Sequence, residues 1–276
     1  AIIDYLEKIG MEFGPDVNAY TSFDETVYQL QVPTDDPAYV ATGLDILRQW
    51  AGAITFDPVE VDKERGVVLE EWRLGRGANE RVFNKQVAVL FGGTRYASRL
   101  PIGKPEIIKG APPAVATRFY RDWYRPDLMA VIVVGDLDPD AVVAQLSTTF
   151  GDLVNPATPR PRPGGGALAK GETKIAIDTD PELRQASVRI SDMFPHRRES
   201  HEADYRSFVV DALYHNMLGA RLQRLARKPD APYVFAFSGT GSMTREFEGF
   251  SRSAFAKEGK IVAALDLLLT ETARIE

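Results

Sequence analysis

The sequence predicts an α+β fold built from two related layers of helices and antiparallel sheet, the second of them incomplete. Three observations lead to this prediction. Strand-like segments with period-two alternation come in pairs, amphipathic helices flank the pairs, and the order helix, strand, strand, helix occurs in both 1–51 and 202–275. The repeat is one of element order and not of residue identity, so it predicts only that the two layers are similar in architecture.

The first half of the chain contains most of the predicted helices. Two of them begin with an acidic cap followed by proline in the first helical position, at Asp36-Pro37 and Asp57-Pro58, which is a good start signal. Two strands surround the turn at 22–25, and an apolar run further on is typical of a short buried strand. The predicted helices are Ala1–Ile9, 36–51, the helix opened by Pro58, Glu80–Leu90, Pro113–Trp123 and Pro139–Phe150, and the strands lie within Val17–Val32 and at Met129–Val134.

A proline- and glycine-rich stretch at 155–171 predicts an interdomain linker. It divides the chain into a first domain at 1–154 and the start of a second, structurally related domain at 172–276. The alternative is a long surface loop within one domain, which is less favoured because structureless loops of this length are uncommon. Beyond the linker we predict strands at Lys174–Asp178, Ala186–Ser191, Tyr233–Ser238 and Phe250–Lys257, and helices at Glu202–Lys228 and Ile261–Ile275.

Composition excludes several classes of partner. The 276 residues carry a formal net charge of -6 with acidic and basic residues interspersed, so no continuous basic face is available to nucleic acid. No apolar run approaches the ~20 residues that span a bilayer, so we expect no membrane span. Because the chain has no cysteine, any zinc would have to bind histidine, aspartate or glutamate. The first predicted helix has no capping residue ahead of it and the last has no closing glycine, so we expect both ends to be cuts within a longer protein.

Two glutamates on the helix opened by Pro58 are candidate metal ligands. Glu64 and Glu71 are seven residues apart, which is nearly two helical turns and places both carboxylates on one face. Such a pair can share a metal, divide into a ligand and a supporting group, or form a solvated acidic face. The spacing alone favours the solvated face, because charged residues on helices are mostly exposed.

The other polar patterns favour structural roles. The three histidines lie beyond the linker. His196 and His201 have no carboxylate at ligand spacing on a common element, and His215 is favoured as a packing or capping residue on its helix. The glycine-rich segment 239–242 is not followed by a lysine-bearing helix, so a strand connection is favoured over a phosphate loop. The serines of this region lack the G-x-S-x-G setting of a hydrolase nucleophile. The residues concerned are His196, His201, His215, Ser238, Ser242 and Ser253.

Three segments in order resemble the pitrilysin/insulinase family of zinc metallopeptidases, the inverted zincins. Asp16–Tyr28 is similar to the strand pair that follows the family's metal-binding helix, and Val61–Arg73 resembles its downstream glutamate helix. Phe119–Asp136 is similar to the segment that ends the first domain. The sequences of Phe13–Tyr28 and Glu70–Arg73 are most similar to those of the PqqL-like bacterial members.

The resemblance implies a zinc site of which this chain holds one part. In the family an H-x-x-E-H helix supplies two histidines and the general-base glutamate, and a later glutamate is the third ligand. By position that ligand is Glu71, and Glu64 is the second acid that supports the site. Glu70 is the rival register, less favoured because the family's pair is separated by seven residues. H-x-x-E-H is absent from the 276 residues and would belong before Ala1, so the chain alone is expected to be inactive.

The resemblance also implies a substrate and partners. The family hydrolyses extended or unfolded peptides enclosed between two halves of the molecule, so the expected partners are a peptide or unfolded protein and the remaining half, in the same chain or another. We expect the substrate to add as a strand along Asn18, Ala19, Tyr20 and Thr21. The alternative is a non-catalytic scaffold or partner subunit of the same fold. The resemblance implies a bacterial periplasmic location, and the composition permits the cytoplasm equally.

Overall fold

The structure is a computed structural model that describes residues 2–12, 14–169, 171, 173–197 and 199–275. It has the α+β architecture that the sequence predicts. The helices are α1 (Ile2–Lys8), α2 (Pro37–Gly52), α3 (Pro58–Leu74), α4 (Ala78–Leu90), α5 (Pro105–Gly110), α6 (Pro113–Trp123), α7 (Pro139–Phe150), α8 (Glu202–Ala226) and α9 (Ile261–Ala273). The strands are β1 (Val17–Thr21), β2 (Thr26–Leu30), β3 (Ser187–Pro195), β4 (Tyr233–Ser242) and β5 (Phe247–Ala256).

The acidic-cap signals act as predicted. Asp36 Oδ1 accepts a hydrogen bond from Ala38 N at 2.9 Å at the start of α2. Asp57 Oδ1 accepts from Val59 N at 2.9 Å at the start of α3. Each carboxylate satisfies a backbone donor that the first helical turn leaves without a partner. These two helices therefore begin where the sequence predicts, and α5 is a short helix that the sequence analysis missed.

Two predicted strands are wrong. Met129–Val134 and Lys174–Asp178 belong to none of the strands in the described part of the chain. Most of their large apolar side chains are exposed, with Ile132 81% and Val134 92% exposed. An apolar run predicts that a segment is extended, but a strand also needs a neighbour that accepts and donates its backbone hydrogen bonds. Neither segment has such a neighbour among the described residues.

Packing divides the chain into two units with boundaries that differ from the predicted domains. One unit comprises the chain up to Arg73 together with Pro101–Gly164, and the other comprises Leu74–Leu100 and the chain from Gly165 onward. The second boundary falls inside the predicted linker. The first arises because Leu74–Leu100 packs with the later half: Arg95 N donates to Gly165 O at 2.7 Å, and the ring centroids of Tyr96 and Phe247 are 5.9 Å apart.

The first unit has a small core where α1 and α2 meet the strand pair. β1 and β2 form a two-stranded antiparallel sheet. Helix α2 approaches the end of β2 closely at Gly43, where an added Cβ would lie 3.5 Å from Leu30 Cδ2 and 3.1 Å from Cγ1 of Val32, just after the strand. The buried core residues are Leu6, Met11, Val17 and Ile46, with Tyr5, Ile9, Leu30, Val32 and Trp50 packed against them.

The second unit has a larger core between its sheet and two helices. The sheet order is β3-β5-β4, all antiparallel. Small alanines on the sheet let α8 and α9 pack closely, and the Tyr233 hydroxyl donates to Leu222 O at 2.9 Å. No helix among the described residues is long and apolar enough to cross a membrane. The core consists of Leu218, Leu222, Tyr233, Ala236, Ala254, Ala256, Ala264 and Leu268.

We expect Leu222→Ala to lower the free energy of unfolding by about 2–5 kcal/mol, because truncating a buried leucine loses apolar burial and leaves a cavity. Leu222 is 0% exposed on α8. Met217→Ala is the matched control on the same helix, since Met217 is 62% exposed and its truncation should change stability little. Urea unfolding monitored by circular dichroism measures both, and equal losses would contradict the packing of α8 described above.

Candidate functional site

Helix α3 has a half-buried face and an exposed face. Val61, Arg65, Val68, Leu69 and Trp72 recur at helical spacing and are all partly buried. None of the residues of α3 is fully buried. Partial burial along one side leaves the remaining side chains of the helix in solvent, and these include the candidate ligands.

The carboxylates of Glu64 and Glu71 are exposed and lie on one side of α3, as their spacing predicts. Among the described residues, no hydrogen bond or ion pair engages either of them. Glu70 differs, because Arg73 Nε donates to its Oε2 at 2.9 Å and an ion pair joins the two side chains. The hydrogen bond from Arg73 lowers the pKa of Glu70. Of the two neighbouring glutamates, Glu71 is therefore the one whose oxygens are free for a cation.

The described residues do not form a complete metal site. Over the described part of the chain, no group of three or more His, Cys, Asp or Glu side chains is placed to hold a metal ion. Catalytic zinc takes three protein ligands of these types and a water. The chemistry of Glu71 fits one of those ligands, an anionic oxygen donor without a competing partner. The remaining donors are not supplied by this part of the chain.

Strand β1, which carries the candidate substrate-binding residues, is exposed and has a partner on one side. Asn18, Ala19, Tyr20 and Thr21 are all exposed, and β2 is the only strand paired with β1 among the residues described. Gln31 N donates to Asp16 O at 2.8 Å and Ser22 N donates to Glu25 O at 2.9 Å.

In an antiparallel pair, successive residues of a strand point their backbone N–H and C=O groups alternately toward and away from the partner strand, and these two hydrogen bonds show which residues of β1 face β2. Asn18 and Tyr20 exchange backbone hydrogen bonds with β2, whereas the backbone groups of Ala19 and Thr21 point to the open edge. Ala19 N donates instead to the side chain of Asn18, at 2.8 Å from Oδ1. A second chain that paired with this edge would replace that side-chain contact. No hydrogen bond or ion pair links β1 to Glu64 or Glu71 in the described residues.

A polar cavity of about 340 Å³ in the second unit was missed by the sequence analysis. His215 on α8 lies between two hydroxyls of β4, with Nδ1 2.7 Å from Ser238 Oγ and Nε2 2.8 Å from Thr240 Oγ1. Arg197 joins two acidic residues on the cavity wall, 2.6 Å from Asp211 Oδ2 and 3.1 Å from Glu248 Oε2. The spacing of residues in the sequence could not predict this cavity, because its lining residues come from four separate segments: α8, β4, β5 and the segment after β3.

The other two histidines have structural partners near this cavity. His196 Nδ1 lies 3.0 Å from Glu248 Oε1. His201 precedes α8, and its backbone N donates to Asp204 Oδ2 at 3.0 Å in a capping box. Together with His215, they lie in the second unit, whereas Glu64 and Glu71 lie in the first.

Comparisons with known proteins identify relatives for the whole chain. The profile of the family described as "Peptidase M16 inactive domain" matches residues 113–275, and that described as "Insulinase (Peptidase family M16)" matches 1–97. A zinc protease PQQL-like protein of Arabidopsis thaliana is 33% identical over all of this chain and 29% of its own length. The probable zinc protease PqqL of Escherichia coli is 31% identical over all of this chain and 30% of its own length.

A solved structure agrees with these sequence matches. The first half of the periplasmic protease PqqL from Escherichia coli superposes with a TM-score of 0.88 at 28% identity, covering 99% of this chain and 58% of that one. The resemblance to the pitrilysin/insulinase family and to its PqqL-like members is confirmed, and so is the α+β fold. The chain spans about 30% of the length of the curated relatives that it matches over its full length.

We expect His215 to make stability fall as pH is lowered from neutral. Burial lowers the pKa of His215 below its ordinary value of 6.5, and Arg197 also lowers this pKa while Asp211 raises it. Well above pH 6.5 His215 is neutral in both the folded and the unfolded chain, and the full stability is present. As pH falls through 6.5 the unfolded chain binds the proton first, so stability is lost.

Unfolding free energies between pH 8 and pH 5, compared for the natural chain and His215→Gln, measure this contribution. The variant should lose less stability over that interval, because glutamine does not titrate. His196 and His201 remain in both proteins and cancel in the difference. An unchanged slope would contradict the lowered pKa.

Proposed function

Because the chain belongs to the peptidase M16 (insulinase) family, we propose that it forms part of a zinc-dependent endopeptidase that hydrolyses extended or unfolded peptides. The observation that carries this function is the pair of unengaged carboxylates on α3, Glu64 and Glu71, on the helix that resembles the family's glutamate helix. The names of the relatives, zinc proteases in Arabidopsis thaliana and Escherichia coli, support the same activity for the whole protein.

In this function Glu71 is a zinc ligand and Glu64 supports it from the same face of α3. The other ligands, two histidines, and the general-base glutamate come from an H-x-x-E-H helix outside these 276 residues. When bound, zinc polarises a peptide carbonyl and lowers the pKa of the attacking water. Glu71 supplies negative charge to that site, and its lack of an ion pair leaves both oxygens available. Glu70, bound to Arg73, is the weaker candidate.

The open edge of β1 holds the peptide in an extended conformation. The outward-facing N–H and C=O groups of Ala19 and Thr21 pair with the substrate backbone, which is sequence-independent recognition. The side chain of Asn18 occupies the Ala19 N–H until the substrate arrives, so the donor is hydrogen-bonded in both states. An enzyme that binds in this way accepts many sequences, provided that they are unfolded.

The whole protein acts in the bacterial periplasm, with the rest of the molecule enclosing the substrate. The solved relative is a periplasmic protease, which supports that location. A partner chain in place of a covalently linked second half gives the same enclosure. A scaffold role is the second candidate, favoured by the "inactive domain" profile over 113–275. The presence of both Glu64 and Glu71, at the spacing of the family's pair of acids, favours the peptidase.

In the full-length protein we expect Glu71→Gln to remove zinc and peptidase activity together, because the neutral amide is a poor ligand. Glu64→Gln should weaken zinc binding by ~10 to 100-fold, as the loss of a supporting group does. Zinc content by elemental analysis and hydrolysis of a quenched peptide measure both effects.

Glu70→Gln is the matched control for Glu71→Gln. The two side chains are adjacent but point about 100° apart around the helix, and Glu70 already binds Arg73. We expect this variant to keep its zinc and its activity. Loss of zinc in Glu70→Gln and retention in Glu71→Gln would show that the register is wrong; full zinc occupancy in both would argue against a ligand on α3.

For the edge of β1 we expect Ala19→Pro in the full-length protein to fold and keep its zinc while kcat/KM for an extended peptide falls. The loss should correspond to about 1–2 kcal/mol, the net contribution of one backbone hydrogen bond. Proline is tolerated here because the Ala19 N–H does not pair with β2. Tyr20→Pro is the control, since its N–H faces β2 and its removal should disrupt the strand pair.

Two results would count against the open edge. Unfolding or zinc loss in Ala19→Pro would mean that β1 is paired on both sides in the whole protein. An unchanged kcat/KM would mean that the peptide binds elsewhere.

A further inference from the structure

We propose that Arg65 is a positioning residue that sets the rotation of α3 about its axis and so aims Glu64 and Glu71 at the metal. This role rests on the proposed zinc peptidase function. It concerns a side chain that lies beside the candidate ligands in sequence but on a different side of the helix.

The side chain of Arg65 crosses from α3 to the C-terminal end of α5. Its two terminal nitrogens donate to backbone carbonyls, Nη1 to Ile108 O and Nη2 to Ala111 O. Its Nε also donates to Asp62 Oδ1, at 2.8 Å on the same helix. The arginine side chain is only 18% exposed, while that of Asp62 is 67% exposed. All three nitrogens of the guanidinium therefore donate hydrogen bonds, two of them to carbonyls outside α3.

Both carbonyls belong to the end of α5, where a helix leaves its last C=O groups without intrahelical partners. Ala111 N donates to Ile107 O, and the next unsatisfied carbonyl, that of Ile108, receives Arg65. The fork of a guanidinium fixes direction as well as distance, because its N–H groups lie in one plane. Arg65 thus restrains how far α3 can turn, which a single apolar contact cannot do.

Apolar packing alone leaves this rotation weakly determined, since α3 buries no residue completely. Val61, Val68 and Leu69 are partly buried on the same side as Arg65, and apolar contacts of this kind do not fix a direction. The rings of Phe56 and Tyr120, with centroids 5.2 Å apart, make contact just before α3 begins. Arg65 is a directional contact within the helix itself, made to two carbonyls at once.

The position of the glutamates follows from helix geometry. At about 100° per residue, Glu64 lies about 100° and Glu71 about 120° from Arg65, in the same sense around the axis. Glu70 lies about 140° away in the opposite sense. Turning α3 about its axis therefore moves Glu64 and Glu71 away from a metal together, and a turn of about 100° in one sense brings Glu70 to the angular position of Glu71. Because the angle between Arg65 and these carboxylates around the helix is fixed, holding the arginine in place also fixes the direction in which Glu64 and Glu71 point.

The test uses the full-length protein, with Arg65→Ala, Arg65→Lys and the control Val61→Ala on the same face of α3. Zinc affinity is measured by competition with a chromophoric chelator, peptide hydrolysis gives kcat and KM, and thermal unfolding reports stability. We expect Arg65→Ala to weaken zinc binding by ~10 to 100-fold, as lost supporting contacts do, and to lower kcat more than it raises KM. Arg65→Lys, which reaches one carbonyl at a time, should be intermediate.

A purely structural role predicts that zinc affinity follows stability in every variant. Zinc affinity in Arg65→Ala equal to the natural protein, or reduced no more than in Val61→Ala, would overturn the positioning role. If Arg65→Ala does not fold, the comparison of Arg65→Lys with Val61→Ala decides in the same way. Glu71→Gln is measured in parallel: zinc loss there together with natural affinity in Arg65→Ala rejects only the positioning role, whereas retained zinc in Glu71→Gln rejects the metal ligand itself.

Discussion

Backbone hydrogen bonding between extended segments is the constraint on which this structure depends most. β5 has a strand on each side and is the most buried strand, so the largest core forms over it. β1 has one neighbour among the described residues, and its other edge is the one proposed to receive a peptide. Met129–Val134 and Lys174–Asp178 have no strand partner in the described chain and stay irregular. The number of strand partners, from two to none, separates the core strand, the edge strand and the exposed segments.

Local signals made much of the fold predictable. Asp36 and Asp57 cap their helices through contacts that span two or three residues, so the sequence alone contains all that is needed to find them. Strands depend on partners that are distant in sequence, and the apolar runs around Ile132 and Ile175 say nothing about whether such partners exist. The packing of Leu74–Leu100 with the later unit was unpredictable for the same reason, since it depends on contacts with Gly165 and Phe247.

The candidate site was predictable in part. Helical spacing placed Glu64 and Glu71 on one face, and the family resemblance selected Glu71 as the ligand. The Arg73 partner of Glu70 is three residues away and was within reach of a helical-spacing argument, although the sequence analysis did not use it. The Arg65 contact to Ile108 and Ala111 was out of reach, because backbone carbonyls carry no sequence signal. The cavity around His215 depends in the same way on a tertiary arrangement of four segments.

The exposed apolar segments affect how this stretch of chain behaves in solution. Ile175 and Ile177 are 80% and 86% exposed, and like Ile132 and Val134 they belong to no strand in the described part of the chain. Such segments can pair with the same segment of a second copy of the chain. The net charge of -6 makes the copies repel each other, but salt screens this repulsion beyond a short distance. Self-association of the isolated stretch should therefore rise with protein concentration and with ionic strength, which makes dilute, low-salt buffers the conditions that keep it monomeric.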